Sequence, residues 1–150
     1  LTPNDPRYQP GFEEVDTSVC GCFSAYGVYD LADRNGDWPH TGFSKLRELQ
    51  VLKAKRSAAQ NLYDEASPLS RISTQAPPFF VVHGTHDSLV PVAGARRFVK
   101  QLRAVSQTPV FYAELPAAQH AFDVFYCIRS LLVIQAAETF FEYFNSAYDF

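Results

Sequence analysis

Hydrophobic positions fall into three short runs and several longer stripes. Thr17-Ser18-Val19-Cys20-Gly21-Cys22-Phe23-Ser24-Ala25-Tyr26 carries no charge, the composition of a strand covered on both faces and therefore predicted to be central. Pro77-Pro78 launches a second run, Phe79-Phe80-Val81-Val82-His83, which Gly84 stops, and this reads as another buried strand. Val110-Phe111-Tyr112-Ala113-Glu114-Leu115, ended by Pro116, predicts a third.

Between and after these runs the period changes. Leu46, Leu49 and Leu52 recur at three-residue steps, so residues 44–59 read as a helix with Ser44 as cap and Lys45, Arg47, Lys53, Lys55 and Arg56 on solvated faces. Pro68 biases Ser67 away from helical backbone and should end any helix within residues 61–72. Residues 91–106 predict a helix with Ala95, Phe98, Val99, Leu102 and Val105 inward and Arg96, Arg97, Lys100 and Arg103 outward. Residues 128–148 predict a last helix buried through Leu131, Ile134, Ala137, Phe140 or Phe141, and Phe144. Residues 1–16 read as an irregular lead-in and residues 30–42 as a turn-rich loop. Strands alternating with helices predict βαβ units and a parallel sheet covered on both sides.

Composition narrows the function classes. The chain has 150 residues, 47% hydrophobic and 15% aromatic, enough for one ordinary domain with a core. A net charge of -3 and a pI near 5.8 give no basic face for nucleic acid or an anionic membrane. No run reaches the roughly 20 apolar residues of a membrane span. Cys20, Cys22 and Cys127 read as reduced thiols and not as a disulfide framework. With no Met even at position 1, the sequence reads as a piece of something longer, and an upstream signal or anchor stays open, with the cytoplasm favoured.

In an open parallel sheet the reacting groups sit just past the carboxyl ends of the strands. Gly84-Thr85-His86-Asp87-Ser88-Leu89-Val90-Pro91 follows the second strand and sets Asp87 in a turn before a helix. Pro116-Ala117-Ala118-Gln119-His120-Ala121-Phe122-Asp123 follows the third and sets His120 in a short loop. One helix and one strand separate them, the connection that can bring neighbouring strand ends together. A carboxylate bound to one imidazole nitrogen fixes the ring's tautomer and stabilises the imidazolium formed at the other, so such a pair activates a nucleophile.

The run from Pro77 through His83-Gly84-Thr85-His86-Asp87 to Val92 resembles the acid-residue motif of α/β-hydrolase esterases and lipases, and Gln119-His120-Ala121-Phe122 resembles their histidine loop. Bacterial, particularly actinobacterial-type, esterases of the hormone-sensitive-lipase-like (α/β-hydrolase fold-3) group are the nearest likeness, with Tyr26-Gly27-Val28-Tyr29-Asp30 and Ser67-Pro68-Leu69 also familiar there. The resemblance implies a partial α/β-hydrolase fold, three-layer αβα with parallel strands, residues 1–150 being the carboxyl-terminal part of one domain with residues 30–72 as a loop and helical insertion. It implies Asp87 as triad acid and His120 as general base, and an ester as the small-molecule substrate with no cofactor. Leu89, Val90 and Tyr26 are candidates for substrate contact; Tyr29 and Trp38 are further aromatic ones.

The family's Gly-x-Ser-x-Gly elbow is missing, and the nearest approach, Gly42-Phe43-Ser44-Lys45-Leu46, lacks its second glycine. The nucleophile and the oxyanion hole are therefore expected upstream of Leu1, in an amino-terminal half that becomes a partner for this one. The alternative is a catalytically inactive remnant or partner-binding module of the same fold. His83, His86 and Asp87 as metal ligands are set aside because no other loop completes a donor set. Cys20 or Cys22 as nucleophile is set aside because both lie within the predicted strand. Asp123 is expected to cap the last helix.

Overall fold

The computed structural model describes residues 1–38 and 45–145. Three strands form one sheet in the order β1 (Cys22–Ala25), β2 (Phe79–Gly84), β3 (Val110–Leu115), and both pairings are parallel. Cys22 lies beside Phe79 and Phe79 beside Val110, so the side-chain alternation runs in step across all three strands.

That alternation assigns the faces. Phe79, Val81 and His83 of β2 point to one side, where helix α2 (Val92–Val105) supplies Ala95, Phe98, Val99 and Leu102 to the main core. Tyr29 joins them, stacked on Phe98 at 4.4 Å between ring centroids. Burial pushes the Tyr29 phenol up to about 12, so it remains a hydroxyl, hydrogen-bonded with Ser24 at 2.7 Å. Phe80 and Phe111 point to the opposite side and meet Phe140 of helix α3 (Ile128–Asn145) at 5.9 and 6.0 Å. Helix, sheet and helix make the expected three layers.

β1 is much shorter than its uncharged sequence run. Cys20 lies outside it, all four of its residues are only half-buried, and β2, not β1, is the central strand. One edge of β1 has no strand partner among the described residues. Beside it an apolar groove of about 610 Å³ is lined by Phe23, Ala25, Val133, Ala137 and Phe141 among others.

The helix expected over residues 44–59 is replaced by a short wide turn, Arg47–Val51, which ends where Lys53 takes a left-handed backbone. Gly42, Phe43 and Ser44 lie outside the described residues, as do residues 146–148 of the predicted last helix. Arg47 does not face solvent: it is buried over the Trp38 ring at 4.3 Å and donates to the Leu31 carbonyl at 3.1 Å. Helix α1 (Gln60–Ala66) ends at Ser67, which is extended as Pro68 demands. In α2, Val105, expected inward, is exposed at the last residue of the helix. In α3, Phe140 and Phe144 are buried, but Ile134, expected inward, is 51% exposed.

One hydroxyl ties the 30–72 segment together. Ser67 Oγ accepts from Leu31 N–H and Ala32 N–H at 2.9 and 3.1 Å and donates to the Tyr63 carbonyl at 2.7 Å, in a fully buried setting. Replacing Ser67 by Ala strands two backbone donors, which costs about 2 kcal/mol. The expected result is a lower urea midpoint for Ser67→Ala with unchanged slope, and faster amide exchange at residues 31 and 32.

Candidate active site

β2 and β3 end in the same row, Gly84 beside Leu115, so the loops that leave them start side by side. Four hydrogen bonds then join the loops. Thr85 N–H donates to the Leu115 carbonyl and His86 N–H to the Ala118 carbonyl, both at 3.0 Å. Ala117 N–H donates to Thr85 Oγ1 at 2.9 Å, and Ser88 N–H to Gln119 Oε1 at 3.2 Å. Contact this close requires glycine at position 84: a Cβ there would press into the Ala118 carbonyl, 2.8 Å from its carbon.

The joined loops bring Asp87 and His120 together. His120 Nδ1 lies 2.8 Å from Asp87 Oδ2, and the Asp87 side chain has no exposed surface. Asp87 Oδ1 accepts from Leu89 N–H at 2.9 Å and from Val90 N–H at 2.7 Å, an Asx turn that leaves the other oxygen for His120. Since Asp87 Oδ2 is an acceptor, Nδ1 carries the proton in neutral His120, and Nε2 is left as the acceptor. Among the described residues Nε2 has no hydrogen-bond partner, and the His120 side chain is 25% exposed. That is the arrangement needed to take a proton from an incoming hydroxyl.

The histidine is clamped on its other flank. The Tyr26 ring packs on it at 4.6 Å between centroids, and Phe122 meets Tyr26 edge-on at 5.5 Å. Tyr26 OH donates to Asp123 Oδ1 at 3.0 Å; burial first, and then this carboxylate, push the phenol's pKa up. Asp123 is therefore Tyr26's acceptor and does not cap α3, which begins five residues later. Ser130 Oγ serves that helix end instead, accepting from Cys127 N–H at 3.0 Å. Tyr26, Ala117 and Ala121 all hold left-handed backbone, with φ of 41°, 55° and 53°. Such strain costs roughly 1–2 kcal/mol per residue and clusters at functional sites.

Other expected contacts diverge. Leu89 is 51% exposed and free to meet a ligand, whereas Val90 is buried at 3% and offers a ligand no side-chain surface. It faces inward because its backbone is bound to Asp87 and His83. Tyr29 belongs to the core, and Trp38 to the Arg47 contact. His83 points into the protein and His86 outward beside Thr85, so the two imidazoles do not converge. Among the described residues, no three His, Cys, Asp or Glu side chains are grouped to hold a metal ion. Thr85 and Gln119 were missed from sequence; only their positions in the two loops point to them.

Comparison with known proteins follows the same direction. The BD-FAE family model matches residues 4–102, a span that includes Asp87 and stops short of His120. "Probable carboxylic ester hydrolase LipM" of Mycobacterium tuberculosis is 54% identical over 140 residues, 93% of this chain and 32% of that protein. "Esterase LipQ" of the same organism is 42% identical over 140 residues, 93% of this chain and 33% of that one. The chain thus spans about a third of the length of these relatives. Among solved structures, the thermophilic esterase Est2 of Thermogutta terrifontis superimposes with a TM-score of 0.65 at 20% identity, covering 85% of this chain and 43% of Est2. An acetyl ester-xyloside bifunctional hydrolase from Caldicellulosiruptor lactoaceticus gives 0.66 at 20% identity, covering 94% and 48%. Both likenesses establish an α/β-hydrolase fold. No helix among the described residues is long and apolar enough to cross a membrane.

Gly84→Ala tests the loop junction. Pushing the Ala118 carbonyl away should destabilise the fold by about 1–3 kcal/mol. It should also break the Asp87–His120 hydrogen bond, seen by NMR as loss of the protected His120 Nδ1–H resonance.

Proposed function

Since the chain belongs to the BD-FAE family, we propose that it is the carboxyl-terminal part of one α/β-hydrolase domain that cleaves carboxylic esters by acyl transfer to serine. In this reading residues 30–72 are the domain's loop and helical insertion. The observation that carries it is the 2.8 Å contact between His120 Nδ1 and the buried Asp87 carboxylate, with Nε2 unpartnered among the described residues. The curated relatives, named as a carboxylic ester hydrolase and an esterase, support the same reading.

The chemistry follows from the pair. A serine hydroxyl attacks the ester carbonyl while His120 Nε2 takes its proton, and Asp87 steadies the imidazolium that results. The tetrahedral intermediate expels the alcohol, which recovers that proton from Nε2. Water then repeats the attack on the acyl-serine through the same nitrogen, releasing the acid and restoring the enzyme.

The serine and the oxyanion donors are proposed to come from a segment outside these 150 residues, because the sequence holds no Gly-x-Ser-x-Gly. The edge of β1 that has no strand partner among the described residues, and the apolar groove beside it, offer that segment a parallel strand partner and an apolar bed. Leu89 and Tyr26 are the proposed substrate contacts from this side of the site.

The test uses the chain extended through its own upstream coding sequence to the length of its relatives, assayed with short p-nitrophenyl esters. His120→Ala and Asp87→Asn should each lower kcat by about 10³- to 10⁴-fold. A fluorophosphonate should label one serine in the added segment. The 150 residues alone should neither turn over ester nor take the label. Full activity in His120→Ala defeats the proposal.

A further inference from the structure

β2 presents Phe79, Phe80, Val81 and Val82 and then, still inside the sheet, His83, which is fully buried. Core packing gives no reason for an imidazole there. A leucine would fill the position without a polar group to satisfy, and His83 Nδ1 has no hydrogen-bond partner among the described residues. Its neighbour in register on β3, Glu114, is engaged elsewhere, accepting from Arg96 and from Tyr112.

The other nitrogen is where the polarity is used. His83 Nε2 stands 2.9 Å from the Val90 carbonyl oxygen and 3.2 Å from Asp87 Oδ2. Both are acceptors, so Nε2 carries the proton; it donates to the Val90 carbonyl, and Asp87 Oδ2 stands beside the same polar edge of the ring. Val90 is thereby held at both ends of its peptide units: its N–H donates to Asp87 Oδ1, and its carbonyl accepts from His83. A carboxylate has about four lone-pair sites. Leu89 N–H and Val90 N–H donate to Asp87 Oδ1 and His120 Nδ1–H to Oδ2, while the polar edge of the His83 ring lies against Oδ2 from the core side.

We propose that His83 is a positioning residue, which holds the Asp87 carboxylate from the core side so that Oδ2 stays aimed at His120. This rests on reading Asp87 and His120 as the working pair. Without that ring, which also anchors the Val90 peptide whose N–H binds Oδ1, the carboxylate is held more loosely and can swing about its last bond. Oδ2 then leaves the His120 ring plane for part of the time, and misplacement of that size is felt in the rate and hardly at all in substrate binding.

Two variants separate this from packing. His83→Leu removes the donor, whereas His83→Gln keeps an N–H at about the reach of Nε2. In the extended enzyme, His83→Leu should lower kcat about ten- to hundredfold with KM unchanged, and His83→Gln should recover most of the loss. In an Asp87→Asn background, His83→Leu should add nothing further. Unchanged kcat in folded His83→Leu, or an equal loss in both backgrounds, overturns the proposal.

A measurement on the 150-residue chain covers the case in which His83→Leu does not fold. The His83 ring N–H should appear in the NMR spectrum as a slowly exchanging proton, and Asp87→Asn should move it. An unmoved resonance overturns the proposal. This readout needs no turnover, so it stands apart from the result that would defeat the functional reading, namely ester hydrolysis that survives loss of His120.

Discussion

Parallel pairing ends β2 and β3 on one row of hydrogen bonds, and the geometry of the site descends from that row. Side chains along a strand alternate, so a slip of one residue would turn His83 out of the core and swing the Asp87 loop to the other face. In the register observed, Thr85 N–H reaches the Leu115 carbonyl, and His86 N–H reaches Ala118. The bare α-carbon of Gly84 lets the second loop settle against the first. A hydrogen bond between residues 87 and 120 is then a local matter, although 33 residues separate them in the chain.

The sequence made much of this visible because its strongest signals are the ones that decide the sheet. Phe79 to His83 could only be a covered strand, Pro68 had to break a helix at Ser67, and Ala95, Phe98, Val99 and Leu102 formed one stripe. The Asp87 turn and the His120 loop were legible for the same reason: each follows a strand end at once. What stayed hidden were short polar side chains whose partners are backbone groups far along the chain. Ser67 binds residues 31 and 32, Thr85 binds residue 117, and Gln119 binds residue 88. No pattern of hydrophobic spacing records such contacts, since each depends on which chain segment passes nearby.

Residues that sequence reasoning placed on the wrong side share a different cause. Arg47 was read as solvated because it is charged, yet an aromatic face and a carbonyl can hold a guanidinium that burial would otherwise expel. Ile134 was read as buried because it is apolar, but α3 is apolar on more than one face and the sheet here covers only one. The same holds for β1, whose composition suits a strand flanked on both edges while β2 is its sole strand partner among the described residues. Excess apolar surface thus gathers along one side of the molecule, at the β1 edge and on the adjacent face of α3.

Two aspartates are candidates for the same imidazole, and their partners set them apart. Asp123 follows His120 by three residues and is exposed, so proximity in sequence would favour it as the histidine's acceptor. Tyr26 takes it instead: the phenol, pushed up by burial, stays protonated at neutral pH and donates to Asp123 while its ring packs on His120. Asp87 is buried, bound twice through Oδ1 by the backbone, and left with one oxygen facing the Nδ1 proton. A fixed carboxylate behind the ring and a fixed aromatic beside it leave the imidazole little freedom, and Nε2 becomes the edge it presents outward. Residue type alone would not separate the two carboxylates; the donors already bound to each of them do.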